Sequence, residues 1–303
     1  RLDRARTIVI IWPGWPIPPL ESVKRLGFTL VREMINCACA VSKPILDAAD
    51  ARQGLPADHN VSAELVRAET EELQLYDHIF SPSAAVDDSL RAIGIPDSRI
   101  LKSSFGWNPK RFASSTPESK PPGLLRFLFA GSIGVRKGVP ELFEAWKAAA
   151  LPNAELVLVG NIEPAFAERF RTTAPQGVRH IGFTPDIGGL YKSADAFVFP
   201  SHEEGAPQVV YEAGGCGAPV VTTEMGRARL IEDGANGLIV PAGDPSALAA
   251  TLQRLAGDAA LRARLGKAAA ETAQAFQYQL VGEQRARTLI ELIEARTPVR
   301  LDA

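Results

Sequence analysis

The chain has 303 residues, of which 46% are hydrophobic, and this is enough for one large domain or two ordinary ones. Its 33 basic and 35 acidic residues leave a net charge of −2, which argues against a dedicated nucleic-acid-binding protein. No run of about 18 apolar residues occurs, so no membrane span is predicted. The three cysteines have neither zinc-site spacing nor an even count, which favours a reducing, cytoplasmic location.

The N-terminal part of the chain predicts short elements of both kinds. Strands are expected at 6–12, 28–34 and 78–83, and helices at 21–27, at 62–77 with Ser62 as the cap, and at 84–94. Residues 114–123, SSTPESKPPG, are rich in serine, proline and charge and lack periodicity, which is typical of a linker. The domain boundary is therefore predicted at residue 118.

From residue 119 onward, apolar strands alternate with helices. The strands are predicted at 124–131, 154–160, 177–183, 196–201, 218–223 and 236–241. The helices are predicted at 139–150, 186–195, 207–215 and 244–258, the last with Asp244 as its cap. Fully apolar strands separated by helices imply a parallel sheet that is covered on both faces, so 119–280 is predicted to be a Rossmann-like α/β domain.

Two glutamates, Glu204 and Glu212, lie in an otherwise apolar and glycine-rich stretch, residues 202–223. A buried carboxylate costs free energy unless another group pairs with it. Glu204 is expected at the carboxyl end of a strand, where open α/β sheets bind ligands, and Glu212 in the helix that follows. A helix N-terminus suits an anion and carboxylates accept sugar hydroxyls, so the stretch predicts a nucleotide-sugar site. The alternative is that both glutamates are ordinary surface charges.

The segment FPSHEEGAPQVVYEAGGCGAPVVTT, residues 199–223, resembles the donor-site signature of the retaining GT-B glycosyltransferases of family 4. In that family two glutamates separated by seven residues follow Pro-Ser, and a Gly-x-Pro-Val-Val strand comes next. Residues 127–146, 231–255 and 76–112 are similar to further segments of the family, and the resemblance covers essentially residues 60–280. It implies two Rossmann-like domains with parallel sheets and an active site between them.

The resemblance also implies roles for individual residues. Glu212 would accept the ribose diol of the donor, and Glu204 would contact the transferred sugar. The backbone N–H groups of Gly205 and Ala206 would meet sugar or phosphate oxygens. Lys137 would contact the diphosphate and stabilise the charge of the departing nucleoside diphosphate, so that neither a metal nor another cofactor is expected.

Five further residues would line the nucleotide cleft in the family arrangement. His180 would border the base, although a structural histidine explains His180 alone equally well. The set consists of Gly131, Gly160, Asn161, His180 and Phe183.

The sequence departs from the family at three places. Ser132 stands where the family usually has an arginine, so Arg136 would have to supply that half of the charge clamp. Ala38 stands where many relatives carry a histidine that faces the transferred sugar. The N-terminal domain, residues 1–118, lacks the opening strand and Gly-rich loop of such a domain, and is expected to be either shortened or naturally reduced. Residues 281–303 are expected to form a helix that packs back on the N-terminal domain or, alternatively, on its own domain.

The favoured function is a retaining, hexosyltransferase-like transfer of sugar from a nucleoside-diphosphate-sugar to an unknown acceptor, which would be a sugar, a lipid-linked sugar or a small molecule. The second hypothesis is a nucleotide-sugar-binding relative without transfer activity, which Ser132 and Ala38 favour. A GT-B-like epimerase or phosphorylase is a third and weaker one. Membrane contact is common among relatives, but the balanced charge of this chain gives no support for or against it.

Overall fold

The computed structural model describes residues 2–57 and 59–296 and contains two parallel β-sheets, one after the other along the chain. The first half contributes four strands, which are β1 (Ile8–Ile11), β2 (Thr29–Glu33), β3 (His78–Ser81) and β4 (Ile100–Lys102). Its helices are α1 (Ile17–Arg25), α2 (Cys39–Arg52), α3 (Ala63–Gln74), α4 (Ala84–Ala92) and α5 (Pro109–Ala113). The strands lie in sequence order, β1-β2-β3-β4, so each pairs with its neighbour in the chain.

The second half forms a six-stranded sheet. Its strands are β5 (Leu125–Ala130), β6 (Ala154–Val159), β7 (Val178–Ile181), β8 (Ala196–Phe199), β9 (Val220–Thr222) and β10 (Gly237–Ile239). Its helices are α6 (Val139–Ala149), α7 (Ala167–Thr173), α8 (Gly188–Ser193), α9 (Gln208–Gly215), α10 (Pro245–Gly257) and α11 (Ala259–Ala273). The chain then continues as α12 (Tyr278–Arg296).

The order of the second sheet, β10-β9-β8-β5-β6-β7, contains one reversal, between β8 and β5. Strands β6 and β7 follow β5 on one side of it, whereas β8, β9 and β10 follow one another outward on its other side. This is the doubly wound order, and ligands bind at the carboxyl ends of the strands that flank such a reversal. The predicted α/β fold with two parallel sheets is confirmed.

The core explains why these strands are apolar throughout. Phe127, Leu128 and Phe129 of β5 are fully buried, because helices cover both faces of the sheet. The expected caps are also present, since Ser62 Oγ accepts the Leu65 N–H at 3.2 Å and Asp244 Oδ1 accepts the Ala247 N–H at 2.9 Å. A separate, smaller core lies in the first sheet.

Four helices were not predicted, namely α2, α5, α7 and α11. Pro44 lies inside α2, and Ala38 offers no side-chain cap at its start, so the sequence carries little helical signal there. Burial of Leu46 and Ala49 stabilises α2 instead.

Helix α12 returns to the first sheet. Arg285 forms an ion pair with Glu33 of β2 and lies over the ring of Phe80, with 4.1 Å between the guanidinium carbon and the ring centroid. The predicted helix 281–303 extends beyond residue 296 into residues outside the described part of the chain. The predicted boundary at residue 118 stays a prediction.

Candidate active site

A cavity of about 330 Å³ opens at the carboxyl ends of β5 and β6. We call it the Glu212 cavity. The two strands end in Gly131 and Gly160, both with positive φ, and a Cβ on Gly160 would lie only 2.0 Å from the Gly131 carbonyl oxygen. Glycine is therefore required where these strand ends approach each other. The walls are formed by Arg111, Ala130, Gly131, Ser132, Val159, Gly160, Asn161, Phe183, Thr184, Ile187, Tyr191, Val209 and Glu212.

Glu212 reaches this cavity from α9 and has two side-chain partners. Arg111 donates to Oε1 at 2.9 Å and the Tyr191 hydroxyl donates to Oε2 at 3.2 Å. Burial raises the pKa of Glu212, while Arg111 and Tyr191 oppose the shift because both stabilise the carboxylate. Both carboxylate oxygens thus face groups that polyhydroxyl ligands could replace or share.

The second glutamate, Glu204, lies at the end of β8 in a different environment. It is 5% exposed and forms an ion pair with Lys137, which is 7% exposed. Ser201 Oγ donates to the same carboxylate at 2.7 Å. Burial lowers the pKa of Lys137, and the Glu204 carboxylate opposes this shift. The Lys137 ammonium also lies 5.4 Å from the centroid of the Phe199 ring.

The loop 131–138 joins these two groups of residues. It begins at Gly131 in the Glu212 cavity and ends beside Lys137 at the start of α6. Ser132 Oγ donates to the Glu163 carboxylate at 2.8 Å, so an acidic partner lies beside the position where relatives usually carry arginine. Arg136 does not line the Glu212 cavity, and it contacts Glu203 at 3.3 Å.

Glu203 was not predicted as a site residue. It is 2% exposed and connects the two halves of the molecule, because Ser42 of α2 donates to Oε1 at 3.0 Å while Arg136 donates to Oε2. A buried carboxylate with a hydroxyl and a guanidinium as partners is satisfied. Glu203 therefore ties the loop that holds Glu204 to the N-terminal half.

The N-terminal half reaches the same loop through residues 35–38. The Cys37 thiol donates to the Glu204 carbonyl oxygen at 3.3 Å. A Cβ on Gly205 would lie 1.9 Å from the Ile35 carbonyl oxygen, so only glycine permits this approach. Ala38, at the position of the expected histidine, is buried at the start of α2 and donates its N–H to Ser89.

Neither cysteine of this region has the properties of a nucleophile. Burial raises the pKa of Cys37 and that of Cys39, each to about 12, and the acidic neighbours Glu203 and Glu69 add to the shifts. A thiol with so high a pKa remains protonated at neutral pH, and the thiolate is the reactive form.

The predicted residues thus fall into two groups and one outlier. The first group lines the Glu212 cavity and consists of Gly131, Ser132, Gly160, Asn161, Phe183 and Glu212. The second group lies at residues 203–206: Lys137 pairs with Glu204, Arg136 pairs with Glu203, and Gly205 and Ala206 directly follow Glu204 in the chain. His180 is the outlier, because it lies outside both groups, exposed, with Nε2 2.9 Å from the Gly160 carbonyl oxygen.

Sequence reasoning missed Arg111, Tyr191 and Glu203. The cost of burying Glu212 predicts that it has partners, but Arg111 lies 101 residues away in the chain and Tyr191 lies 21 away. Neither separation carries a local signal. Only the folded sheet brings Arg111 and Tyr191 to Glu212, and Ser42 and Arg136 to Glu203.

Two further findings concern the described residues alone. Within 2–57 and 59–296, no group of three or more His, Cys, Asp or Glu side chains is placed to hold a metal ion. No helix in the same residues has both the length and the apolar character needed to cross a membrane.

Comparison with known proteins identifies sequences that are similar to this chain. Residues 125–258 match the family model described as glycosyl transferases group 1. A D-inositol 3-phosphate glycosyltransferase of Paenarthrobacter aurescens (strain TC1) is 30% identical over 198 residues, which are 60% of this chain and 47% of that protein. The capsular polysaccharide biosynthesis glycosyltransferase CapM of Staphylococcus aureus is 31% identical over 148 residues, 46% of this chain and 38% of that protein. The chain thus spans less than half the length of these relatives.

Solved structures share the fold over nearly the whole chain. A sucrose-phosphate synthase from Thermosynechococcus elongatus superposes with a TM-score of 0.76 at 24% identity, covering 91% of this chain and 71% of that one. HepE of Anabaena, in complex with UDP-glucose, superposes with a TM-score of 0.71 at 19% identity, covering 90% and 75%. The two parallel sheets are therefore arranged as in GT-B structures.

Proposed function

We propose that the protein transfers a sugar from a nucleoside-diphosphate-sugar to an acceptor, with retention of the anomeric configuration. The match of residues 125–258 to the family model described as glycosyl transferases group 1 supports this proposal. The observation that carries the proposal is the Glu212 cavity, which opens at the carboxyl ends of β5 and β6, next to the reversal of the doubly wound sheet, and is lined by six of the residues assigned to donor binding. HepE, which shares the fold, has been solved in complex with UDP, and UDP is therefore the first ligand to test.

In this proposal the Glu212 cavity holds the nucleoside. The ribose diol replaces or shares the contacts that Arg111 and Tyr191 make with the Glu212 carboxylate, since a carboxylate accepts two adjacent hydroxyls well. The diphosphate then follows the loop 131–138 toward Lys137. Its negative charge is met by the Lys137 ammonium and by the positive end of the α6 dipole.

The reaction breaks the bond between the anomeric carbon and the diphosphate oxygen, and the electron pair remains on the diphosphate. A bond forms between the anomeric carbon and the acceptor hydroxyl oxygen on the same face of the sugar. The hydroxyl proton passes to an oxygen of the departing diphosphate. Lys137 stabilises the charge that develops on that leaving group, and Glu204 keeps the buried ammonium charged and in place.

A second candidate function is nucleotide-sugar binding without transfer. The contact of Ser132 with Glu163 favours it, because a carboxylate lies beside the position where the family resemblance implies a diphosphate-binding arginine. Under this alternative the donor binds through Glu212 but the leaving group is poorly stabilised. Measuring both UDP binding and UDP release from UDP-glucose distinguishes the two functions.

The test of donor binding is a thermal-shift panel with UDP, GDP, ADP and NAD on the wild type and on Glu212→Ala. A ligand at about 100 times its Kd adds roughly 2.7 kcal/mol to the free energy of unfolding, which is several degrees for a chain of this size. One nucleoside diphosphate should shift the wild type, and Glu212→Ala should lose that shift.

The matched control is Glu224→Ala, because Glu224 is exposed and forms only a surface ion pair with Arg227. That variant should respond like the wild type. The proposal fails if no nucleoside diphosphate shifts the melting temperature of the wild type, or if NAD does so instead.

The unpaired Cys37, Cys39 and Cys216 support a reducing compartment, and we place the reaction in the cytoplasm.

A further inference from the structure

A second and larger cavity, of about 650 Å³, lies in the N-terminal half beside Glu203. We call it the Glu69 cavity. Its walls come from the loop after β1, the end of β2, α2 and α3, with Glu203 as the contribution from the opposite domain. Glu203 directly precedes Glu204, and Cys37, another wall residue, donates to the Glu204 carbonyl oxygen. The cavity therefore adjoins the place where transfer is proposed.

The charges on its wall are predominantly negative. Three carboxylates line it, on Glu69, Glu72 and Glu203, and among the described wall residues Arg32 is the one cation. Arg32 is 1% exposed and already committed, because its Nε donates to Glu72 at 3.0 Å and its Nη1 donates to the Glu33 carbonyl oxygen at 2.5 Å. No unpaired guanidinium remains there to receive a phosphate.

The Glu69 carboxylate has no ion-pair partner among the described residues of the cavity wall. The charge of Glu72 is balanced by Arg32, and that of Glu203 by Arg136 at 3.3 Å on its far side. The Glu69 carboxylate accepts the Cys39 N–H at 2.5 Å, which is a neutral donor. Its position on the cavity wall leaves it able to accept hydroxyl groups, and it repels an anion.

The rest of the wall is mainly apolar. The indole of Trp15 is 52% exposed, and Ile17, Met34, Ile35, Leu46 and Leu65 continue the apolar surface. Ligand sites combine such walls with a few polar groups that orient the ligand, and aromatic rings supply contact area at low entropic cost.

On the basis of the proposed function, we infer that the Glu69 cavity binds the acceptor, and that this acceptor is an uncharged, hydroxyl-bearing compound with an apolar portion rather than a phosphorylated one. An alkyl glycoside has this chemistry, with hydroxyls for Glu69 and a chain for Trp15 and its neighbours. The acceptor class would then differ from the phosphorylated inositol that the name of the Paenarthrobacter relative indicates.

The test uses octyl glucoside, below its micellar concentration, and glucose 6-phosphate as probes in calorimetric titrations of the whole chain. Octyl glucoside should bind saturably, and glucose 6-phosphate at least tenfold more weakly. Trp15→Ala should abolish binding of octyl glucoside. Trp12→Ala is the matched control, because Trp12 is also exposed, at 59%, but does not line the cavity.

Glu69→Gln tests the charge directly. This change should reduce the ratio of the Kd of glucose 6-phosphate to the Kd of octyl glucoside severalfold. Glu71→Gln, on the exposed face of the same helix, should leave that ratio as in the wild type. The inference is overturned if glucose 6-phosphate binds as tightly as octyl glucoside, if neither probe binds, or if Trp15→Ala has no effect. UDP binding is measured on the same samples, so UDP binding without probe binding refutes this inference alone, and the reverse refutes the donor proposal alone.

Discussion

The Glu212 cavity and the Glu69 cavity lie in the same molecule but are built in different ways. The first is made by strand ends and loops of one doubly wound sheet, where glycines such as Gly160 are required by backbone geometry. The second collects side chains from two strand-end loops, two helices and one residue of the opposite domain. Backbone-determined sites leave a recognisable sequence signature, whereas sites made of scattered side chains do not. The proposed donor site can thus be predicted from the sequence, whereas the proposed acceptor site can be recognised only in the folded structure.

The sharpest way to test the donor half is Lys137→Ala. Removing the ammonium should lower the rate of UDP release from UDP-glucose by about 100- to 1000-fold, the effect of removing one oxyanion-hole donor from a protease. Lys147→Ala, on the exposed face of α6, should release UDP at the wild-type rate. Because the change leaves Glu204 buried without its ion-pair partner, an unfolding curve must accompany the rate. An undiminished rate in a folded variant contradicts the role of Lys137.

A second change tests whether the two halves depend on α12. Arg285→Ala removes the partner of Glu33, which is 3% exposed in the first sheet. Breaking a fully buried ion pair costs roughly 3–5 kcal/mol, and we expect about 2–3 kcal/mol here because the Arg285 side chain is 22% exposed. Denaturant unfolding measures the loss.

The control for that change is Arg287→Ala, since Arg287 lies on the exposed side of the same helix. Equal stabilities of the two variants would mean that the contact of α12 with β2 contributes nothing measurable.

The pH dependence of UDP binding sharpens the assignment of Glu212. The ionised carboxylate accepts hydroxyls more strongly than the protonated form, so binding should weaken about tenfold as pH falls through the pKa of Glu212. Burial raises that pKa above its ordinary value of 4.5, so the loss begins at a higher pH than for an exposed glutamate. Titration of UDP itself cancels in the ratio of wild type to Glu212→Gln, and a ratio independent of pH would contradict the assignment.

The smallest expected effect concerns Arg111. Its guanidinium lowers the pKa of Glu212, so Arg111→Ala should move the midpoint of the same pH profile upward. Arg91→Ala serves as the control, because Arg91 forms its ion pairs with Asp88 and Asp97, away from the cavity. An unchanged midpoint would show that Arg111 does not set the charge of Glu212.

Much of the fold could be predicted from local patterns. The apolar runs of β5, β6 and β8, the cap Asp244 and the proline at the start of α10 each act within a few residues of the chain. Among the helices that were not predicted is α2, where Pro44 and the missing cap hide a helix that tertiary packing stabilises. Local propensity is a weak preference that burial overrides.

The sequence by itself determined that Glu204 follows a strand of a parallel sheet and that Glu212 lies in the next helix, because strand ends, glycines and helix starts are local features. The tertiary structure alone decided which groups bind these carboxylates. Lys137 and Ser201 contact Glu204, and Arg111 and Tyr191 contact Glu212. It also decided that Glu203 joins the two halves through Ser42. These pairings depend on how sheets and helices pack, and a buried charge demands a partner without specifying where in the chain that partner lies.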